Sequence, residues 1–167
     1  MSNEITGLDE VQAKLRQLGN ARKAKNAATR ASRKAMNIVK KAAVQNAKAI
    51  DDKDSAERIW RNIITKAGKT KGVDNVTMKV GVKGGARKYG ASRENRRASR
   101  IGSTYATQGD KKNPGGDTWY WRFVEFGSSV NSARPFLRPA LNNNTAAVQA
   151  EFTSAFSAEL DKEIAKL

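Results

Sequence analysis

Between Asn20 and Ile50 the chain carries nine Lys or Arg residues and no acid. Ala28, Ala31, Ala35, Ile38, Ala42 and Ala49 recur there at heptad-like spacing. This spacing predicts one long helix from about Ala21 to Ile50, roughly 45 Å in length, with a narrow seam of small side chains. Alanines allow close approach of a neighbouring element but contribute little apolar area each. Lys23, Arg30, Lys34, Lys41 and Lys48 fall in a second row, about a quarter-turn round the helix. Such a row is either a solvated face or an electrostatic surface for phosphate or an acidic neighbour. The missing acids favour the second, because solvated helices usually mix signs to gain i,i+4 pairs.

Thr6 caps a short first helix in which Asp9 and Glu10 occupy the first turn; Leu8, Val11, Leu15 and Leu18 make its apolar stripe, and Gly19-Asn20 ends it. Asp51-Asp52-Lys53-Asp54 breaks the long helix, and Ser55 caps a helical turn carrying Ile59, Trp60, Ile63 and Ile64. Gly68 to Gly72 reads as a basic loop. Val76, Met78, Val80 and Val82 alternate with Thr77, Lys79, Gly81 and Lys83, the pattern of a half-buried strand. Gly84 to Gly116 shows almost no apolar periodicity and reads as a long mobile arm. Thr118 to Phe126, apolar on both faces, reads as a second, covered strand. Beyond two Arg-Pro corners a final helix runs to Leu167, with Val148, Phe152, Ala155, Phe156, Leu160 and Ile164 on its apolar side. The expected fold is therefore α+β: a small antiparallel sheet, a long helix in the N-terminal half with a C-terminal helix packed on it, and a long basic arm (84–117) between two strands. Residues 1–167 are expected to form a single domain.

Charge and composition narrow the function. The net charge is +16 and only 38 % of residues are hydrophobic, so a modest core must resist self-repulsion. Contacts with partners or an oligomer are expected to supply part of the stability. The sign reverses near the end, where Glu151, Glu159, Asp161 and Glu163 make the last segment slightly acidic. Opposed faces of this kind suit head-to-tail subunit packing. No apolar run approaches the ~18 residues of a membrane span. The N-terminus lacks the pattern of a secretion signal. With no His and no Cys, zinc-type clusters and His- or Cys-based nucleophilic catalysis are excluded. No phosphate-cradling glycine loop occurs either. Neither an enzyme, nor a metal, nor a cofactor is expected.

Two segments carry binding potential. The arm holds Arg87, Lys88, Arg93, Arg96, Arg97 and Arg100, and reads either as a linker or as an anchor that orders on binding. Its charge suits sequence-insensitive contact with nucleic acid, since no base-reading module surrounds it. The second segment places Tyr120, Trp121, Phe123 and Phe126 within ten residues, then Gly127, then Arg134-Pro135-Phe136-Leu137-Arg138-Pro139. Trp119, Trp121 and Phe123 read as core packing rather than as stacking platforms for bases. Glu125 is either an exposed edge residue or the partner of Arg134 or Arg138, closing a loop or a subunit seam. The prolines bias Arg134 and Arg138 to extended geometry, and Pro139 also suits the first turn of a helix. Phe123, Glu125, Phe126, Gly127, Arg134, Pro135, Phe136, Arg138 and Pro139 are the candidate fold corner and subunit interface.

Gly115-Gly116-Asp117-Thr118-Trp119-Tyr120-Trp121-Arg122-Phe123-Val124-Glu125-Phe126-Gly127, followed by Ala133-Arg134-Pro135-Phe136-Leu137-Arg138-Pro139-Ala140, closely resembles the signature of a phage protein family. That family comprises the minor tail components, or tail-completion and head–tail joining proteins, of long-tailed double-stranded DNA bacteriophages. Gly7-Leu8-Asp9-Glu10-Val11, the alanine-rich basic helix and the strand from Val76 to Val82 fit it too. Ser128 stands where threonine is more usual, and the basic arm is longer than the minimum pattern. The resemblance implies a non-enzymatic virion protein of the neck, assembled in the host bacterial cytoplasm. It implies a ring, hexameric by expectation, contacting neck and tail proteins, with DNA passing through its channel.

Overall fold

The computed structural model describes residues 8–52, 54–70, 75–107 and 112–167. The Thr6 cap, Lys53, the 71–72 end of the basic loop and Asp110 lie outside the described residues. The chain is mixed α and β. In order come α1 (Leu8–Leu18), α2 (Ala21–Ala49), a short 3-10 turn (Ile59–Asn62), β1 (Ile63–Ala67), β2 (Met78–Val82), β3 (Gly85–Lys88), α3 (Arg93–Arg97), β4 (Thr104–Thr107), α4 (Trp121–Phe126), α5 (Leu137–Asn142) and α6 (Thr145–Ile164). β1 pairs with β2, and β3 pairs antiparallel with β4 in the register Gly85 to Thr107 and Lys88 to Thr104. No helix among the described residues is long and apolar enough to cross a membrane.

Two compact units divide the chain: Met1–Ala42 with Thr65–Val80 and Ala140–Leu167, and Ala43–Ile64 with Gly81–Pro139. In the first, the C-terminal helix packs on the long one, as Leu160 of α6 is buried with Ala27 of α2 and Leu18 of α1. Val11, Leu15, Phe156 and Ile164 close round this cluster. The second unit is built round Phe136 and the buried polar residues Asn62, Thr118 and Glu125.

The seam of α2 differs from the heptad reading. Its buried positions are Ala27, Ala31, Ala35, Val39, Ala43 and Ala47, a repeat of four, whereas Ala28, Ile38 and Ala42 are half-buried and Ala49 is exposed. Four residues advance about 40° beyond a full turn, so the buried line winds round the helix instead of running along it. Heptad counting follows a straight stripe and misses that winding.

Four further expectations are corrected. Thr118 to Phe126 is not a strand: a turn at Thr118, whose carbonyl accepts from Trp121 N at 3.1 Å, leads into helix α4. Six apolar-rich residues satisfy a period of 2 or of 3.6 equally well, and the tertiary setting decides. Nor are both faces covered, for Phe123 is 50 % and Phe126 56 % exposed. Ile63 and Ile64 belong to β1 rather than to a helical turn; Arg58, not Ser55, precedes that turn and makes no side-chain cap. The arm is not structureless, being a hairpin of β3 and β4 with α3 at its tip. The predicted last helix is interrupted at Asn143-Asn144, which separates α5 from α6.

Candidate functional site

In the second unit, the centre of the corner is a carboxylate. Glu125, on the inner side of α4, is 1 % exposed. Its Oε2 accepts from Phe136 N at 2.8 Å and Leu137 N at 2.9 Å, and its Oε1 accepts from Arg138 N at 3.0 Å. These are the N–H groups that the start of α5 leaves without intrahelical partners, so a residue distant in sequence caps that helix. Arg138 completes the arrangement: Nε donates to Oε1 at 3.2 Å, Nη2 donates to the Glu125 carbonyl at 2.7 Å, and the guanidinium lies over the Phe126 ring. Pro139, in the first turn of α5, lacks only an N–H that would have no partner there. Phe136 is fully buried and its carbonyl accepts from Asn46 at 3.2 Å.

Between α4 and α5 the chain makes a closed loop. Gly127 sits at φ +79°, and a Cβ there would lie 3.1 Å from both Ala133 N and Asn131 O. Ser128 N donates to Asn131 O at 2.9 Å, while its hydroxyl accepts from Asn131 N at 3.1 Å. Arg134 enters through its backbone, donating to Val124 O at 2.7 Å. Of the two candidate partners for Glu125, the structure brings in the Arg138 side chain; the Arg134 side chain and Pro135 are exposed.

A second clamp was not singled out from the sequence. Asn62, fully buried, donates to Gly116 O at 3.0 Å and Thr118 Oγ1 at 2.8 Å, and accepts from Gly115 N at 2.8 Å. A Cβ on Gly115 would stand 2.0 Å from Arg58 O, so only glycine fits. The available signal was one amide among the apolar residues of Ile59 to Ile64.

Beside the corner lies an open cleft of about 760 Å³, lined by Ile50, Asp51, Asp52, Tyr120, Phe123 and Arg134 among others. Burial and the neighbouring carboxylate of Glu57 raise the Tyr120 phenol above its ordinary range, with Asp51 and Asp52 adding to the effect. Trp119 meets Phe123 edge-on at 5.9 Å, and Val130 is 85 % exposed. Large apolar side chains therefore stand in water here, while much of the buried apolar set is alanine.

The basic row on α2 does not form one free surface. Arg30 bonds Glu159 at 2.5 Å and Glu163 at 2.6 Å, and Lys34 bonds Glu159 at 3.1 Å. Hydrogen bonds from Arg30, then Lys162 and Lys34, hold the Glu159 carboxyl down at about 2. The acidic end of the chain thus meets the basic helix within the chain itself. Lys48 lies over Trp60, while Lys41 is exposed and Lys23 half-buried. On the hairpin, Lys88, Arg93, Arg96, Arg97 and Arg100 are exposed; Arg87 lies on β3 and its side chain is outside what the structure describes. No group of His, Cys, Asp and Glu among the described residues has the arrangement of a metal site.

The family model described as "Bacteriophage HK97-gp10, putative tail-component" matches residues 9–127, from α1 through the aromatic helix to Gly127. This chain belongs to the HK97-gp10-like family. As an HK97-gp10-like protein it is a structural component of a bacteriophage tail, a part of the virion that works against other tail proteins. The match ends before the Arg-Pro corner, so α4 of this HK97-gp10-like chain lies inside it and α5, which Glu125 caps, lies beyond. No curated protein and no solved structure matches the chain.

Proposed function

We propose that this chain is the tail-completion subunit of a phage neck, forming a ring, hexameric by expectation, that joins the tail to the DNA-filled head without catalysis of its own. The observation that carries this reading is the apolar face of Trp119, Phe123, Phe126 and Val130 standing exposed on a corner fixed by Glu125. A chain whose buried apolar positions are so often alanine gains area by covering these side chains with a neighbour. The rigid loop from Gly127 to Arg134 offers that neighbour a surface already ordered, which lowers the entropy lost on docking. Subunit and neck partners, not solvent, are the expected environment of Phe123, Phe126, Gly127, Arg134 and Pro135, with Phe136, Arg138 and Pro139 holding the corner from within. Native mass measurement or negative-stain imaging, made with tail components present, tests this. Closed rings are expected; a chain that stays monomeric under those conditions sinks the reading.

A second reading is sequence-independent DNA binding, favoured by the exposed arginines of the hairpin on a chain of net charge +16. Phosphate contacts of that kind weaken steeply with salt. Duplex affinity that stays constant from low to moderate salt excludes it.

A further inference from the structure

The tip of the β3–β4 hairpin is a built object. Ser92 Oγ accepts from Asn95 N at 3.1 Å, and Asn95 donates to Gly90 O at 2.8 Å and accepts from Arg100 Nε at 2.9 Å. Arg100 then lies over the Tyr89 ring. These contacts hold α3 so that Arg93, Arg96 and Arg97 project into solvent, with no carboxylate in ion-pair range among the described residues. In the same tip Ile101 is 43 % exposed, and Glu94 is the one acid of α3. Phosphate contacts make no use of an exposed isoleucine, whereas the apolar wall of a cleft does.

The same unit contains the complementary feature. On a strongly basic chain, Asp51 and Asp52 line the cleft together with Ile50, Ile59, Phe123 and Val130, and Asp54 and Glu57 follow them closely in sequence. Asp51 is paired with Arg58 at 3.3 Å, whereas Asp52, Asp54 and Glu57 have no cation at ion-pair distance among the described residues. We infer that the hairpin tip of one copy docks into the cleft of the next, Ile101 entering the apolar wall while Arg93, Arg96 and Arg97 face Asp52 and Asp54. The inference rests on the ring reading and deepens it. Joining two different surfaces of the same chain is a heterologous contact, which closes into a ring when its rotation permits.

The chain has no cysteine, so a pair of single-cysteine variants gives a clean test. Ile101→Cys marks the tip and Ser132→Cys marks the cleft, both at exposed positions where folding is checked by circular dichroism. The two full-length variants are mixed with tail components and oxidised. Disulfide-linked pairs joining position 101 of one copy to position 132 of another are expected, identified from the linked peptides. Changing Arg93, Arg96 and Arg97 to Glu in the tip-marked copy is expected to lower the yield about tenfold or more, by setting like charges together. Changing Asp52 and Asp54 to Lys in the other copy should restore it. Rings that form without any 101–132 linkage overturn this inference and leave the ring reading standing. A chain that forms no rings at all overturns both. If the arginine changes abolish duplex binding yet leave the linkage intact, the arginines serve DNA and their pairing with Asp52 and Asp54 is refuted.

Discussion

Glu125 and Glu159 are both glutamates set against a helix, and they do different work. Glu125 is enclosed, and its oxygens are used by backbone N–H groups that have no alternative partner. Glu159, 5 % exposed, is held by three cations, two of which are themselves 43 % and 48 % exposed. The first carboxylate fixes backbone geometry. The second relieves charge between α2 and α6, and does so in contact with salt and solvent. A carboxylate's contribution here depends on what loses its partner when it is removed.

The largest expected effect is at the corner. Glu125→Ala leaves three buried or half-buried N–H groups unpaired and should cost about 3–5 kcal/mol in urea unfolding. A loss under about 1 kcal/mol means that water replaces the carboxylate and the contrast with Glu159 disappears. Asn62→Ala removes the other clamp, stranding Gly115 N and Thr118 in the interior, and should cost about 2–3 kcal/mol by the same assay.

Glu159→Gln should cost less, about 1 kcal/mol, and the difference should shrink in high salt because its partners are exposed. Its pH signature is distinct. The folded carboxyl, at about 2, lies below its ordinary value of 4.5, so its stabilisation is present above that ordinary value and is lost as pH falls towards 2. The wild type should therefore lose more stability than Glu159→Gln over that interval. Equal losses in an acid titration of unfolding midpoints count against the seam. Smallest of all, Val130→Asp on the exposed face should change stability by less than about 0.5 kcal/mol while weakening assembly.

The sequence was most informative where periodicity was long. The extent of α2, the strand at Met78–Val82 and the apolar side of α6 follow from patterns sustained over several turns or alternations. Short segments failed for a physical reason: in Trp121–Phe126, a buried acid and two exposed phenylalanines invert the usual rule, because α5 supplies Glu125 with backbone donors. The hairpin was invisible because it is held by backbone pairing of β3 with β4 and by side-chain bonds at Ser92, Asn95 and Arg100, neither of which shows as apolar alternation. The meeting of Arg30 with Glu159 joins residues 129 positions apart, which no local pattern reports. Of the corner, the residues were legible and the geometry was not. Arg138 and Arg134 looked equivalent until α5 placed one side chain on Glu125 and left the other in solvent.

Hydrogen–deuterium exchange, compared between the free chain and the chain in assembled tails, tests the central proposal most directly. If the exposed corner is where this tail component meets its neighbours, amides of residues 119–134 become protected on assembly while those in the middle of α6 stay as they were. Unchanged exchange across 119–134, in particles shown to contain the protein, contradicts it.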